Sequence, residues 1–494
     1  MIELAMFETN VIAMLAPLIL SVATLVMMIQ IAFWRHAITS WAICCFTLIA
    51  SIAALYWSSL VAPQQVSSIL VTDHYSLFFS LLILFASLIT ALLTKDYLEQ
   101  RSGENEEFYL LLMLSALGAL VLVSATHLAS FLLGLELLGV ALYALIAYPE
   151  RGRLPLEAAI KYLVLSGAAS AILLFGFALI YAALGSLSFI GIGQQLSQEL
   201  AADKQLLVLI GTAMVFTGIG FKLSLVPFHM WTPDVYQGAP APVTGFLSTV
   251  SKGAIFAALM RLFIDAQLYR FPSLLLALSI VAAASMVIGN LLALKQNNLK
   301  RLLAYSSIAH IGYLIITIVV YGSLQNGQLA VEAASFYLTA YMLTSLAAFA
   351  VLTILSTRTI QGYEQADSDS IDSVRGLFWS KPLLALMLTI ALLSLAGIPL
   401  TVGFIGKFYI FTVGIEGALW FLIIALVIGS GIGIYYYLRV VFAMTEQINQ
   451  TGADPSVQRG MTLVAKLVVC LLIFMMLALG VLPQPLIEHI GNLY

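Results

Sequence analysis

The chain runs to 494 residues, 62% of them hydrophobic and only 9% charged, with a mean hydropathy of +1.04. A soluble domain is about 25% charged, so a water-soluble fold is excluded. The formal net charge of −3 leaves no basic face for nucleic acid. Cys44, Cys45 and Cys470 lie in apolar runs without zinc, iron–sulfur or disulfide spacing.

Runs of about 20 apolar residues, enough to cross about 30 Å of hydrocarbon, recur about fourteen times. In chain order they cover approximately 11–33, 38–60, 75–94, 107–124, 127–148, 156–184, 205–228, 242–264, 272–294, 301–322, 328–356, 382–413, 418–443 and 461–481. The pattern predicts an all-α polytopic membrane protein. Nothing shows the alternating segments, about ten residues long, of a transmembrane barrel. The first run, led by Glu3 and Glu8, reads as a span rather than a cleaved signal. Loops after odd-numbered spans carry Arg35, Lys95, Arg101, Arg151, Arg153, Lys295, Lys300, Arg301, Arg358, Arg375, Lys381, Arg439 and Arg459. Loops after even-numbered spans hold Lys204 and Arg270, with Arg261 near a helix end. Positive residues mark the cytoplasmic face, so both termini are expected on the opposite, periplasmic side.

Five lysines and one clear glutamate remain inside spans: Lys161, Lys222, Lys252, Lys407, Lys466 and Glu136. A charge at a helix centre costs about 2.5–3.5 kcal/mol, so each needs a partner, water or a role. Lys466 lies near a span end and is read as snorkelling; Lys161, similarly placed, is open to either reading. Glu136 lies mid-span in FLLGLELLGVALY and cannot snorkel; a static pair with one lysine would still leave the others unpaired. Pro227 and Pro399 interrupt the seventh and twelfth spans. Interrupted helices in corresponding positions of two halves point to an inverted-repeat transporter. That suits five-helix repeats over spans four to eight and nine to thirteen. The expected division of the single membrane domain, 1–494, is helices 1–3 in 1–106, a first repeat in 107–265, a second in 272–444, and the last helix with the C-terminus in 461–494.

His310 lies mid-span, with Ser306 and Ser307 a turn before it and Tyr313 after it. An imidazole takes and gives a proton near ambient pH; a satisfied buried histidine is the plainer alternative. His229, beside Pro227, falls in a polar, turn-rich segment with Trp231 and Asp234, and the Tyr435–Tyr437 triplet reads as interfacial belt or packing. No dinucleotide or phosphate-binding loop is present. Lys, Glu and His without cofactor ligands support proton movement. Approach of Glu136 to Lys222 would hold the lysine charged, and separation would let it release a proton toward Lys252 and His310.

The segments GFKLSLVPFHMWTPDVYQGAPAPVTGFLSTVSKGAIF, NLKRLLAYSSIAHIGY and LSLAGIPLTVGFIGKF, with HLASFLLGLELLGVALYALIAY, LEAAIKYLVLSGAASAILLFG and GVLPQPLI, resemble the antiporter-like membrane subunits of respiratory complex I, more closely the bacterial N type. The resemblance runs nearly end to end and implies fourteen helices, two inverted five-helix repeats, and broken seventh and twelfth helices. It assigns proton transfer to Glu136, Lys161, Lys222, Lys252, His310 and Lys407. Lysine rather than glutamate at 407 favours the N type over the M type, and the short stretch after the last span implies no lateral helix of the L type. No cofactor or metal is expected in this chain. FMN, iron–sulfur clusters and quinone would belong to partner subunits of an NADH:quinone oxidoreductase translocase, and M-type and small J/K/A-type subunits would be neighbours. The alternatives are an Mrp-type cation/proton antiporter subunit, a solute transporter or a membrane scaffold.

Overall fold

The computed structural model describes residues 2–99, 105–148, 153–199, 201–323, 327–356, 367, 369–447 and 461–493, with side chains from residue 8 onward. Arg101, Arg151, Arg358 and Arg459, counted above for topology, lie outside these residues. The chain opens with α1 (Ile2–Ala13), α2 (Leu15–Phe33) and α3 (Ala37–Val61), followed by a hairpin of β1 (Gln64–Ser67) and β2 (Leu70–Thr72). It continues through α4 (His74–Leu98), α5 (Glu106–Val123), α6 (Leu128–Ala147), α7 (Arg153–Leu184), α8 (Phe189–Leu196), α9 (Ala202–Lys222), α10 (Trp231–Gly238) and α11 (Ala241–Phe246). A π-helical turn (Leu247–Ser251) joins α11 to α12 (Lys252–Asp265). The second half holds α13 (Pro272–Ala293), α14 (Leu299–Tyr321), α15 (Gln328–Ser356), α16 (Leu377–Ser380), α17 (Pro382–Ala396), α18 (Val402–Glu416), α19 (Trp420–Thr445), α20 (Leu463–Val481) and α21 (Gln484–Ile490).

Among the described residues, thirteen helices are long and apolar enough to cross a membrane, counting Ala241–Asp265 as one. The remaining expected span, 382–413, is divided into α17 and α18 by Gly397–Thr401. The seventh expected span also stops short: α9 ends at Lys222, and irregular backbone around Pro227 leads to α10. Each interruption places a non-glycine residue in the left-handed region, Ser224 at φ 64° and Leu400 at φ 71°. Such backbone is held only where the surrounding packing over-determines it.

Polar side chains set several helix starts. Asp73 accepts from the Ser76 amide at 2.8 Å at the head of α4, and Asn298 accepts from the Arg301 amide at 3.0 Å at the head of α14. His127 Nδ1 takes the Ala129 amide at 3.1 Å and His36 Nδ1 the Thr39 amide at 3.3 Å. These two loop histidines are therefore caps. Glycine decides one crossing: a Cβ at Gly118 would stand 2.4 Å from the Leu138 amide nitrogen, and one at Gly134 would stand 2.7 Å from that of Leu122. This contact draws α6, the Glu136 helix, against α5. At the centre, α14 and α15 are enclosed on every side and Ala241–Asp265 nearly so, whereas α2, α7 and α20 leave most of their surface outward.

Candidate proton-transfer site

The buried charges gather along this enclosed centre. On its first side, α6 presents Glu136 and the last residue of α9 is Lys222, whose Nζ lies 3.8 Å from Glu136 Oε1. The lysine side chain is 2% exposed and the carboxylate 35%. Two serines of α7 complete the group. Ser170 donates to Glu136 Oε1 at 2.5 Å, and Ser166 Oγ accepts from Lys222 Nζ and from the Tyr143 hydroxyl, both at 2.7 Å. A second acceptor besides the carboxylate lowers the cost of the buried ammonium.

Beyond Lys222 stands α10. Trp231 stacks on Phe221 and Tyr162, and its indole N–H donates to the Phe221 carbonyl at 3.0 Å. Tyr236 of the same helix turns its ring toward Lys252 Nζ, 5.5 Å away. Lys252 is buried directly after the π turn and donates to Ser307 Oγ at 2.6 Å. Such turns recur at functional positions. Ser307 also accepts from the Tyr341 hydroxyl at 2.7 Å. One turn along α14, His310 is buried with both ring nitrogens on phenols: Nδ1 to Tyr337 at 2.6 Å and Nε2 to Tyr437 at 3.3 Å.

Lys407, on α18, reaches back across the twelfth-helix interruption and donates to the Ala396 carbonyl at 2.9 Å. That carbonyl is among the unsatisfied acceptors at the C-terminal, negative end of α17. The Lys407 ammonium also lies 5.4 Å from the Tyr313 ring, which a cation attracts through its π face. Gly397 holds φ 85° beside it, and a Cβ there would come within 2.8 Å of Lys407 Cδ. Thus Lys222 faces a carboxylate, while Lys252 and Lys407 meet a hydroxyl, a carbonyl and aromatic faces.

The structure brings Glu136 and Lys222 together and joins Lys252, His310 and Lys407 through shared tyrosine and serine neighbours. It does not bring Lys161 into this file. Lys161 is 42% exposed and pairs with Glu157 Oε1 at 2.7 Å and Asp234 Oδ2 at 3.0 Å, while Arg301 takes Asp234 Oδ1 at 2.7 Å. This ionic cluster borders a recess of about 80 Å³ lined also by Leu154, Gln237 and Gly238. His229 is buried in the seventh-helix interruption. Lys466 is outward-facing on α20, as expected of a snorkelling residue.

The tyrosine triplet divides between the two readings given it, and a buried lysine escapes the sequence reading. Tyr436 and Tyr437 are buried and hydrogen-bonded in the core, while Tyr435 is 66% exposed. Successive residues point about 100° apart on a helix, so no single environment holds all three. Lys300, taken as a loop charge, is buried: its Nζ donates to Asp367 Oδ2 at 2.5 Å, the Ala239 carbonyl at 2.7 Å and the Gln237 carbonyl at 3.4 Å. Asp367 also accepts from the Tyr97 hydroxyl and the Ala241 amide, both at 2.9 Å. Asp369, beside this pair and outside the spans, has its carboxyl raised by burial, which the Lys300 charge only partly offsets. The first half of the NLKRLL motif carried the signal, since that lysine opens an apolar helix.

Fold and site together define an antiporter-like polytopic membrane subunit with a buried file of ionisable groups. Residues 125–433 match the transmembrane family described as NADH:quinone oxidoreductase/Mrp antiporter, and the chain belongs to that family. A chain of respiratory complex I from Thermus thermophilus, solved with bound aureothin, is 33% identical with a TM-score of 0.80, covering 96% of this chain and 98% of that one. A chain of the membrane-bound sulfane sulfur reductase, an archaeal respiratory membrane complex, is 25% identical (TM-score 0.83; 97% and 96% covered). A chain of the Mrp complex from Dietzia sp. DQ12-45-1b shares the fold at 20% identity (TM-score 0.81; 99% and 98% covered).

Proposed function

We propose that this chain is a proton-translocating membrane subunit, of the N type, in an NADH:quinone oxidoreductase. The observation that carries the reading is the Glu136–Lys222 pair at 3.8 Å beside an interrupted helix, continued inward by Lys252, His310 and Lys407. The 33% identity to a complex I chain favours this over an Mrp-type cation/proton antiporter. In this reading Lys222 keeps its proton while Glu136 is near. When the carboxylate withdraws or is neutralised, desolvation drives the proton off toward Lys252. His310 then passes it to Lys407, and the outer cluster around Lys161 exchanges protons with the aqueous side. Moving one charge against 100 mV costs about 2.3 kcal/mol. That energy comes from quinone reduction in partner subunits, which hold FMN, iron–sulfur clusters and quinone.

The subunit sits in the bacterial inner membrane with both termini periplasmic, between M-type and small J/K/A-type neighbours. Its two five-helix repeats occupy 107–265 and 272–444, each with one interrupted helix. Lys222→Ala in the assembled complex should abolish NADH-driven proton uptake by inverted vesicles while assembly persists; normal uptake refutes the reading. Copurification with flavin and iron–sulfur subunits is the accompanying expectation, and sodium uptake by this polypeptide alone would instead establish the antiporter.

A further inference from the structure

We infer that the hydroxyl of Tyr337 is a proton relay between His310 and the Lys407 half of the molecule. The inference rests on the proton-translocating reading and adds a residue to it. Neither ring nitrogen of His310 has a lysine as its hydrogen-bond partner. Nδ1 is held by the Tyr337 hydroxyl at 2.6 Å and Nε2 by the Tyr437 hydroxyl at 3.3 Å, and the rings of Tyr313 and Tyr341 close the remaining sides with centroids 5.5 Å away. In this arrangement a proton reaching or leaving the imidazole crosses a phenol.

The two phenols differ in what lies behind them. Tyr437 bonds to Ser306 and packs on Tyr436, whose hydroxyl donates to Asn290 Oδ1 at 2.9 Å. The carboxamide has N–H donors and a carbonyl acceptor but no labile hydroxyl. Passing a proton through it would create an imidic acid, so this branch anchors the ring. Tyr337 faces the other way. A Cβ at Gly406 would stand 3.0 Å from Tyr337 Cδ2 and 3.3 Å from its Cα, which packs the base of the Tyr337 side chain against the α18 backbone one residue before Lys407. Its ring also meets Tyr313 edge-on at 6.5 Å, and Tyr313 is the ring under the Lys407 ammonium.

The step balances. Protonated His310 gives its Nδ1 proton to the Tyr337 oxygen as the Tyr337 O–H releases its own toward the neutral Lys407 amine. One O–H bond forms as another breaks, the phenol is neutral before and after, and the positive charge moves from imidazole to ammonium. Rotation of the new O–H away from Nδ1, toward the Lys407 side, resets the relay. Short O–H bonds to a ring nitrogen favour transfer at the 2.6 Å contact over the 3.3 Å one.

The test uses the assembled complex in inverted vesicles. Tyr337→Phe keeps the ring and should lower proton uptake per NADH oxidised at least tenfold, while Tyr435→Phe, on the outer face, leaves it unchanged. Replacing Tyr337 by 3-fluorotyrosine restores the hydroxyl with a more acidic phenol; uptake should return with its pH profile displaced to lower pH. Normal uptake by Tyr337→Phe overturns the relay, as does a 3-fluorotyrosine variant with an undisplaced profile. The second measurement decides even if the phenylalanine variant fails to assemble. Lys252→Ala separates the levels: if it is inactive while Tyr337→Phe pumps normally, the relay alone fails, and if it too pumps normally, proton translocation itself fails.

Discussion

Three lysines at the centre of one chain, Lys222 and Lys252 buried and Lys407 partly buried, are held in three different ways. Lys222 has a carboxylate and a serine, Lys252 a serine and a tyrosine face, and Lys407 a helix-end carbonyl and a tyrosine face. Only the first partner carries a full negative charge, so the first lysine is the one whose proton a neighbouring carboxylate can hold or release. Ser166→Ala should therefore destabilise the protein by about 1–3 kcal/mol, because both Lys222 and Tyr143 lose an acceptor inside the fold. A thermal midpoint in detergent equal to wild type would place those donors on water instead. At the opposite face, Asp73 holds the buried Arg261 guanidinium at 2.7 and 2.8 Å. Burial alone would raise the Asp73 carboxyl, but the Arg261 charge and the hydrogen bonds from Arg261 and Ser76 keep it below the ordinary carboxylate range. Because the folded value is lowered, this stabilisation is present above the ordinary aspartate pKa of about 3.9 and is lost as pH falls through the folded value. Asp73→Asn should thus be less stable than wild type at neutral pH, with the gap closing in acid. A gap independent of pH would assign the effect to packing.

At the scale of elements, the two interruptions put their lysines to opposite use. α9 ends on Lys222, whereas Lys407 sits in the second half of its broken helix and reaches back to the end of the first. The junction between α10 and α11 is fastened by Lys300 and Asp367: the ammonium closes the carbonyls ending α10, and the carboxylate takes the first amide of α11. Since α10 carries Tyr236 and α11 leads through the π turn to Lys252, this ion pair fixes the approach to the second lysine. Breaking a buried pair by removing one partner costs about 3–5 kcal/mol. Lys300→Ala should lower the thermal midpoint by several degrees and reduce proton uptake along with it. A variant that loses uptake with an unchanged midpoint would show that Lys300 handles protons itself.

For the whole molecule, the positive loops carry the proposed orientation, while the file of ionisable groups runs through the centre. Orientation is open to direct measurement. In a background with Cys44, Cys45 and Cys470 replaced by serine, Gln447→Cys should react with an impermeant maleimide only in inverted vesicles, and Ser68→Cys only in right-side-out ones. Gln447 follows the Arg439 helix on the lysine- and arginine-rich side, and Ser68 lies in the opposite hairpin loop. The reverse labelling pattern would invert the topology and with it the direction assigned to the pump.

The sequence by itself determined the helical membrane class, the approximate placing of the spans and the presence of Glu136, Lys222, Lys252 and Lys407 within them. Each follows from local composition: about 20 apolar residues span a bilayer, and a lysine or glutamate inside such a run is costly wherever the run folds. Proline marked both interruptions for the same local reason. Tertiary structure decided the rest. Only packing showed that Lys161 belongs to a half-exposed ionic cluster, that Lys300 is buried, and that Tyr337 and Tyr437, a hundred residues apart on α15 and α19, close on the two nitrogens of His310. These contacts join helices distant in the chain, and no periodicity within one helix records which side chain of another will meet it.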